Sequence, residues 1–521
     1  MAARTRGEGP IGGRPTPGGV PNHPAAAASP REEEEAAAAD SRSSGPILPP
    51  RWGRSGIFAR EMTVASLTVL DGWDTPMRAL VLAPAGERRR GAASRLTLAE
   101  LPRPRPPAPG WVLVRPALAG ISSADLAMLR GDGMAARDAS LAVPVVPGRE
   151  VVGIVEEAHG TRWAREGHRV LIEPNAGCVI RGFPVCERCA IGDTDLCENR
   201  DRGSPLGPAA DVGVARGGGW SEGILAHEEM LVPADGISDQ RGVLAEPAAT
   251  ALHAVLRWTR RGDTAVVIGS GALSRLIVAT LRRMHPDLDI IVLHDARSTT
   301  RPRLGRRHRE SAPLNGDPNA AFMAIRSIGA NRVWHGSSEQ MLQKTAEHME
   351  ARLMRPAGAG LPVLDGGVDV VFDCRASALS IDLAVRLLRA GGTLVLCGRS
   401  GRHEIEWSLI WARELTVRGA ASYGREPDGK RTFGTIREWL SDSSFPVDGV
   451  VTHRFPLDEY TAALAIAQAG TAAGAVKVVF EGPAATSLRP SAAAVVVHQP
   501  DEPVLLQSTA ARVRGGHVKV S

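Results

Sequence analysis

Residues Thr264 to Arg283, TAVVIGSGALSRLIVATLRR, constrain this chain more than any other stretch, because they dictate a local structure and a ligand together. Ala265 to Ile268 read as a buried parallel strand, Gly269 and Gly271 as a turn, and Leu273, Leu276, Ile277 and Leu281 recur at helical spacing. The pattern is G-x-G-x-x-(G/A) with Ser274 in the third place. The first glycine permits the tight turn, the second lets a pyrophosphate approach the backbone, and the helix N-terminus behind them offers free N–H groups and a partial positive charge. A glycine turn alone is weak evidence. The next strand, Asp289 to Leu293, strengthens it by ending at His294-Asp295, about 20 residues on, where such fingerprints place the acid that accepts the ribose hydroxyls. Asp295 therefore points to NAD. A surface Asp after any strand of an α/β fold is the plain alternative, and Arg297 keeps NADP open, because a guanidinium can meet a 2′-phosphate.

At 521 residues, 43% of them hydrophobic, the chain has room for two or three domains with sizeable cores. The formal charge of +5 comes almost wholly from Arg, since the only lysines are Lys344, Lys430, Lys477 and Lys519, and it is spread rather than clustered. With 4% aromatics there is no stacking platform for nucleic acid. No apolar run reaches the ~18 residues that span a membrane, and Met1 opens no signal sequence. A soluble, cytoplasmic protein without nucleic-acid or membrane partners is expected. The Arg- and Ala-rich N-terminus would suit an organelle transit peptide, against which Glu32 to Glu35 argues.

In chain order, residues 1–76 are rich in Pro, Gly, Ala and Ser without a sustained apolar period, so they cannot bury enough surface to offset ordering entropy and read as a disordered extension. Residues 77–248 are short strands broken by Gly and Pro, among them Trp111 to Arg115, Val151 to Glu156, Arg169 to Ile172 and Glu229 to Pro233, an all-β pattern without helices. Residues 249–424 alternate strand and helix, with Val368 to Asp373, the helix Ala378 to Leu388, and the strand Gly392 to Cys397 ending at Gly398. That is the doubly wound half, whose ligand crevice lies beyond the carboxyl ends of its strands, which puts Gly398 with Gly269, Gly271, Ser274 and Asp295 in the cofactor site. Residues 298–320 read as an inserted surface loop, 425–482 as a return to mixed short elements, and 483–521 as a mostly disordered tail in which the run at 491–497 could add a strand.

Four of the six cysteines, Cys178, Cys186, Cys189 and Cys197, fall in one window as C-x7-C-x2-C-x7-C. Thiolates suit zinc, and four of them close a tetrahedron with no position left for a substrate, so the site reads as structural. Disulfides are the alternative, disfavoured without a signal sequence. Cys374 and Cys397, at the ends of buried strands, read as core thiols.

Over residues 77–482 the chain resembles the medium-chain dehydrogenase/reductase superfamily of the zinc-type alcohol dehydrogenases. The motifs run in family order: GISSAD at 120–125, PGRE at 147–150, GHRV at 167–170, the cysteine lobe, AEPAATALHAV at 245–255, the glycine fingerprint, ELTVRGA at 414–420 and THRFPLDE at 452–459. The Glu246-Pro247 element and the segment after Cys197 look most like the threonine, polyol and glucose dehydrogenase branch. The resemblance implies an α/β protein, a GroES-like mostly-β catalytic domain plus a doubly wound Rossmann dinucleotide-binding domain. It also implies a small-molecule substrate, NAD or NADP, zinc, and a homo-oligomer, dimer or tetramer.

It further implies a catalytic zinc held by the Cys of G-I-C-G and the His of P-G-H-E, where this chain has Ser122 and Arg149. A neutral hydroxyl is a poor zinc ligand, and a guanidinium, which never deprotonates in proteins, is none. Glu150 and Glu246 remain, and two facing carboxylates without a cation would repel and raise a pKa. Arg149 can pair with either of them or turn out to solvent; all three arrangements stay open. Asp125 reads as a hydrogen-bond acceptor in the Ser122–Ser123 turn, and His168, His227 and His253 as ordinary structural histidines. Without a Lewis acid, hydride delivery to a conjugated double bond or quinone is easier to support than removal from an alcohol. The leading reading is an NAD(P)-dependent oxidoreductase with structural zinc, no catalytic zinc, and Ser122, Arg149, Glu150 and Glu246 at the reacting centre. The alternatives are an alcohol or polyol dehydrogenase binding a metal through Glu150 and Glu246, and a non-catalytic cofactor-binding scaffold.

Overall fold

The computed structural model describes residues 76–83, 95–130, 144–200, 202–207, 210, 217–295, 318–357, 360–398, 401, 403–421 and 423–484. The expected extension before residue 76, the insertion with Arg297, and the tail from 485 with its 491–497 run lie outside the described residues.

The stretch Thr264–Ile268, apolar and β-branched, is buried along its whole length, as a central parallel strand must be. It sits inside a six-stranded all-parallel sheet whose spatial order is Arg332–Gly336, Asp289–Asp295, Thr264–Ile268, Val368–Asp373, Leu388–Leu396 and Thr416–Gly419. In order of sequence that is 3-2-1-4-5-6, the doubly wound arrangement, with the order reversing between Thr264–Ile268 and Val368–Asp373. Alternate residues face opposite layers: Val267 and Phe372 join one apolar cluster, Val266 and Val371 the other. Burying one such side chain contributes about 1.5–3 kcal/mol.

The other half is a seven-stranded, mostly antiparallel sheet built on Trp111–Gly120, which pairs with Val151–His159, Ile224–His227 and Lys477–Glu481. The chain's return after the dinucleotide half thus supplies a strand next to the first long one. The helix Ala245–Leu256 lies where the halves meet: its alanines belong to a continuous core running from Leu118, Val152 and Leu171 to Val267 and Phe372.

Some expectations shift. The β half contains the helix Ser123–Arg130, so Ser122, Ser123 and Asp125 form a helix start rather than a turn; the short spacing of apolar residues hid it. Glu228–Met230 is a 3-10 turn, leaving only Leu231–Pro233 as strand. Residues 318–320 open the helix Pro318–Ile328 instead of closing a loop. The helical spacing of Leu457 to Ala469 predicts one helix, and the structure divides it into a 3-10 turn at Leu457–Glu459 and the helix Tyr460–Ala469. Among the described residues no helix is long and apolar enough to cross a membrane.

Candidate active site

The glycine turn lies at the carboxyl end of Thr264–Ile268. Gly269 has φ +125°, and a Cβ there would stand 2.7 Å from Ser274 Oγ, so the position tolerates only glycine. The helix Ala272–Met284 follows with Gly271 as its N-cap and no side-chain cap, and a Cβ on Gly271 would meet open space. This is a cradle of backbone donors into which a phosphate group fits. Asp295 ends the neighbouring strand Asp289–Asp295, and Gly398 follows Leu388–Leu396 with its N–H on Asp373 O at 3.0 Å. All five predicted cofactor residues therefore sit at one end of one sheet. Cys397 is buried there beside Cys374, and burial, with Cys374 next to it, pushes its thiol well above the usual range.

In the cysteine lobe the four sulfur atoms of Cys178, Cys186, Cys189 and Cys197 lie within 4.8 Å of one another. Cys178 and Cys197 Sγ are 3.5 Å apart, Cys189 N–H points at Cys186 Sγ at 3.5 Å, and Asn199 Nδ2 donates to Cys178 Sγ at 3.2 Å. Backbone N–H groups of Cys189 and Glu198 lower the Cys186 thiol to about 6, while burial pushes Cys189 and Cys197 up. The donor set fits one tetrahedral zinc, and all four thiols are free of disulfides.

The residues expected at the reacting centre meet in three contacts, Glu150 with Lys477, Ser122 with Asp125 and Arg149 with Glu246. Gly120 ends its strand against Glu150, whose Oε2 would stand only 1.8 Å from a Cβ there; glycine is what makes room for the carboxylate. Glu150 is 1% exposed, and both its oxygens accept from Lys477 Nζ at 2.6 Å. Burial outweighs the lysine and pushes Glu150 up to about 7. Ser122 Oγ donates to Asp125 Oδ2 at 2.6 Å, while Asp125 N–H returns to Ser122 Oγ at 3.1 Å, a reciprocal cap at the start of Ser123–Arg130. The Ser122 hydroxyl is thereby occupied. Arg149 Nη2 lies 2.9 Å from Glu246 Oε1, the guanidinium one-third exposed and the carboxylate buried in the first turn of Ala245–Leu256. Glu246 holds the Arg149 charge more firmly than usual. Tyr423, 2% exposed, lies beside both.

A catalytic zinc does not fit these residues: a guanidinium occupies its neighbourhood, the hydroxyl is committed, and both oxygens of Glu150 are taken by an ammonium. The histidines have structural partners; His168 and His227 Nδ1 accept from Arg165 and Glu229 N–H, and His253 meets Glu426 at 2.9 Å. Sequence reasoning missed Lys477 and Tyr423. The first had a signal, a lysine inside the apolar strand AVKVVF, and the second had none beyond rarity, as one of two tyrosines.

Two family models match the chain, the alcohol dehydrogenase GroES-like domain over residues 108–236 and the zinc-binding dehydrogenase domain over 319–441. The L-threonine 3-dehydrogenase of Legionella pneumophila (strain Corby) is 24% identical over 69% of this chain and 89% of its own length. A zinc-binding dehydrogenase from Sinorhizobium meliloti 1021, solved bound to NADP, is 25% identical with a TM-score of 0.55, over 78% of this chain and all of its own. A short chain alcohol dehydrogenase from E. coli CFT073, solved with NADH, shares the fold at 20% identity and a TM-score of 0.56, with the same coverage. With both domains matched in chain order, the chain carries the two domains of the zinc-type alcohol dehydrogenase-like proteins and is similar to the medium-chain dehydrogenase/reductase superfamily.

Proposed function

We propose that the protein is an NAD(P)-dependent oxidoreductase that carries structural zinc on Cys178, Cys186, Cys189 and Cys197 and transfers hydride to or from a small carbonyl, alcohol or conjugated substrate without a catalytic metal. The observation that carries this is the 2.9 Å pair of Arg149 with Glu246, together with a Ser122 hydroxyl given to Asp125. A bound nicotinamide supplies or accepts the hydride. The chain's own part is to hold the dinucleotide on the Gly269–Gly271 turn and the following helix, and to hold charge at the substrate oxygen. Arg149 does the second: it is a fixed cation, oriented by Glu246, that stabilises negative charge as it develops. Asp295 favours NAD, since its carboxylate would accept ribose hydroxyls and repel a 2′-phosphate.

The polyol dehydrogenase alternative needs Glu150 as a metal ligand, and Lys477 on both its oxygens argues against that. Reduced thiols in the lobe suit a cytoplasmic protein. We assign a second copy of the chain to the edge strand Thr416–Gly419, exposed along its whole length, and to Trp411 just before it, 82% exposed. The deciding measurement pairs metal analysis with cofactor titration and an alcohol, polyol, aldehyde, enone and quinone panel. One zinc per chain, tighter NADH than NADPH binding, and turnover of a carbonyl or conjugated compound are expected. Two zincs per chain would refute the metal-free centre, tighter NADPH binding the role of Asp295, and no turnover the enzyme reading in favour of the scaffold.

A further inference from the structure

Two thiols stand at the carboxyl ends of neighbouring central strands, and the proposed reaction uses neither. Val368–Asp373 and Leu388–Leu396 run parallel, and their ladder ends with Asp373 opposite Leu396. Cys374 and Cys397 follow, one step beyond each, so they come next in the same register, and Cys397 N–H donates across the strands to Asp373 O at 2.9 Å. Alternation puts them on one face of the sheet. Phe372 and Val395 are paired two residues earlier, and both belong to the apolar cluster that contains Cys397 and against which Cys374 packs. Adjacent strands lie about 4.8 Å apart, inside the range of about 4.4–6.8 Å that a disulfide spans between Cα atoms.

We infer that Cys374 and Cys397 form a reversible disulfide whose closure weakens dinucleotide binding. The coupling to the dinucleotide rests on the cofactor site proposed above. Cys374 is wedged between two glycines of that site: a Cβ on Gly269 would stand 3.4 Å from Cys374 Cβ, and one on Gly398 would stand 2.7 Å from Cys374 C and O. A disulfide holds its Cβ atoms about 3.8 Å apart, so strands about 4.8 Å apart must close by roughly 1 Å at this end. If Cys374 moves, it withdraws from Gly269; if Cys397 moves, it carries Gly398 along. Either way the spacing of the glycine turn and Gly398 changes, and the cradle loses the shape into which a phosphate group fits. Cys374 is partly exposed and Cys397 buried, which orders the chemistry. The Cys374 thiolate attacks one sulfur of a small-molecule disulfide such as oxidised glutathione, whose S–S bond breaks to release one glutathione thiolate. Cys397 then gives up its proton and attacks Cys374 Sγ, and the second glutathione leaves. The two protein thiols are oxidised, the two glutathiones are reduced, and both protons pass to the released thiolates. Linkage is reciprocal: the factor that the disulfide takes from dinucleotide affinity, bound dinucleotide takes from disulfide formation.

The test uses the full chain in glutathione buffers of graded ratio, beside Cys374→Ala and Cys397→Ala. Peptide mapping by mass spectrometry reads the cross-link, and tryptophan fluorescence reads NADH binding. The expected result is a Cys374–Cys397 cross-link with zinc content unchanged, a Kd for NADH about tenfold higher in the oxidised wild type, and no oxidant effect on Kd in either variant. Saturating NADH should then raise the midpoint potential of the pair by about 30 mV, the same tenfold for a two-electron couple. Thiols that stay unlinked at the most oxidising ratio overturn the disulfide. A cross-link that leaves the wild-type Kd unchanged, or an equal rise of Kd in Cys374→Ala, overturns the coupling. A reduced chain that binds no dinucleotide sinks the oxidoreductase reading instead, and the mapped cross-link then still decides the thiol pair.

Discussion

At Arg149 the local sequence offered three possible arrangements, and the folded chain adopts the ion pair with Glu246. Removing one partner of a buried pair costs about 3–5 kcal/mol, but a guanidinium one-third exposed is partly screened, so about 1–3 kcal/mol is the expectation for Arg149→Ala. Denaturant titration checks it; an unchanged midpoint means the pair contributes nothing. The double variant Ser122→Cys with Arg149→His recreates the ligand types of the zinc enzymes, and metal analysis should then count a second zinc. Glu150 sets a pH signature. Its folded pKa of about 7 lies above the ordinary 4.5, so between those values the folded chain keeps a proton that the unfolded chain releases. Stability from this group is therefore full below about 4.5 and is lost as pH rises through 7. Replacing the pair together, Glu150→Gln with Lys477→Met, avoids stranding a buried ammonium and should flatten Tm against pH across that window. A curve parallel to the wild type would show that Glu150 does not titrate there.

At the scale of elements, the cysteine lobe is a chain segment with little core of its own. Between Cys178 and Cys197 its helical pieces among the described residues are Glu187–Ala190 and the 3-10 turn Thr194–Leu196, and Val179, Val185, Ile191 and Leu196 stand exposed. Metal binding is then folding energy, on the order of 10 kcal/mol in small sites. Cys189→Ser should lose the zinc and expose the lobe to limited proteolysis while the dinucleotide half keeps its NADH affinity. Full zinc content in that variant would show that the four thiols are not a ligand set. The glycine turn behaves differently, because backbone geometry holds it. The spacing of Gly269, Gly271 and Ser274 carried that element completely, whereas the helix Ser123–Arg130 was invisible, its eight residues too short for an apolar period to emerge from noise.

For the whole molecule, one apolar cluster runs through Ala245–Leu256 between the two halves, and the six-stranded sheet ends in an edge strand. Thr416–Gly419 is a short edge strand with unpaired backbone groups, next to Trp411 and Trp407, which are 82% and 64% exposed. Edges of this kind invite a second strand. Light scattering should give a dimer or larger, and Trp411→Glu should lower the apparent mass toward one chain without changing Tm of the isolated protomer. A wild-type monomer at micromolar concentration would overturn this.

By itself the sequence determined the strand, glycine turn and helix, the grouping of four thiols, and the presence of Ser122 and Arg149 where the family resemblance implies metal ligands. Each of these is a matter of residue type at short spacing, where covalent geometry and donor chemistry leave few choices. Only the tertiary structure decided which carboxylate Arg149 takes, that Lys477 reaches Glu150 across 327 residues, and that Tyr423 lies with them. Those pairings depend on strand order and on which face each side chain presents. Lys477 arrives because Lys477–Glu481 pairs with Trp111–Gly120, and Tyr423 because Glu426, three residues after it, is bonded to the same helix face that carries Glu246. No local spacing encodes either, since burial in a shared core brings together residues that the chain keeps far apart.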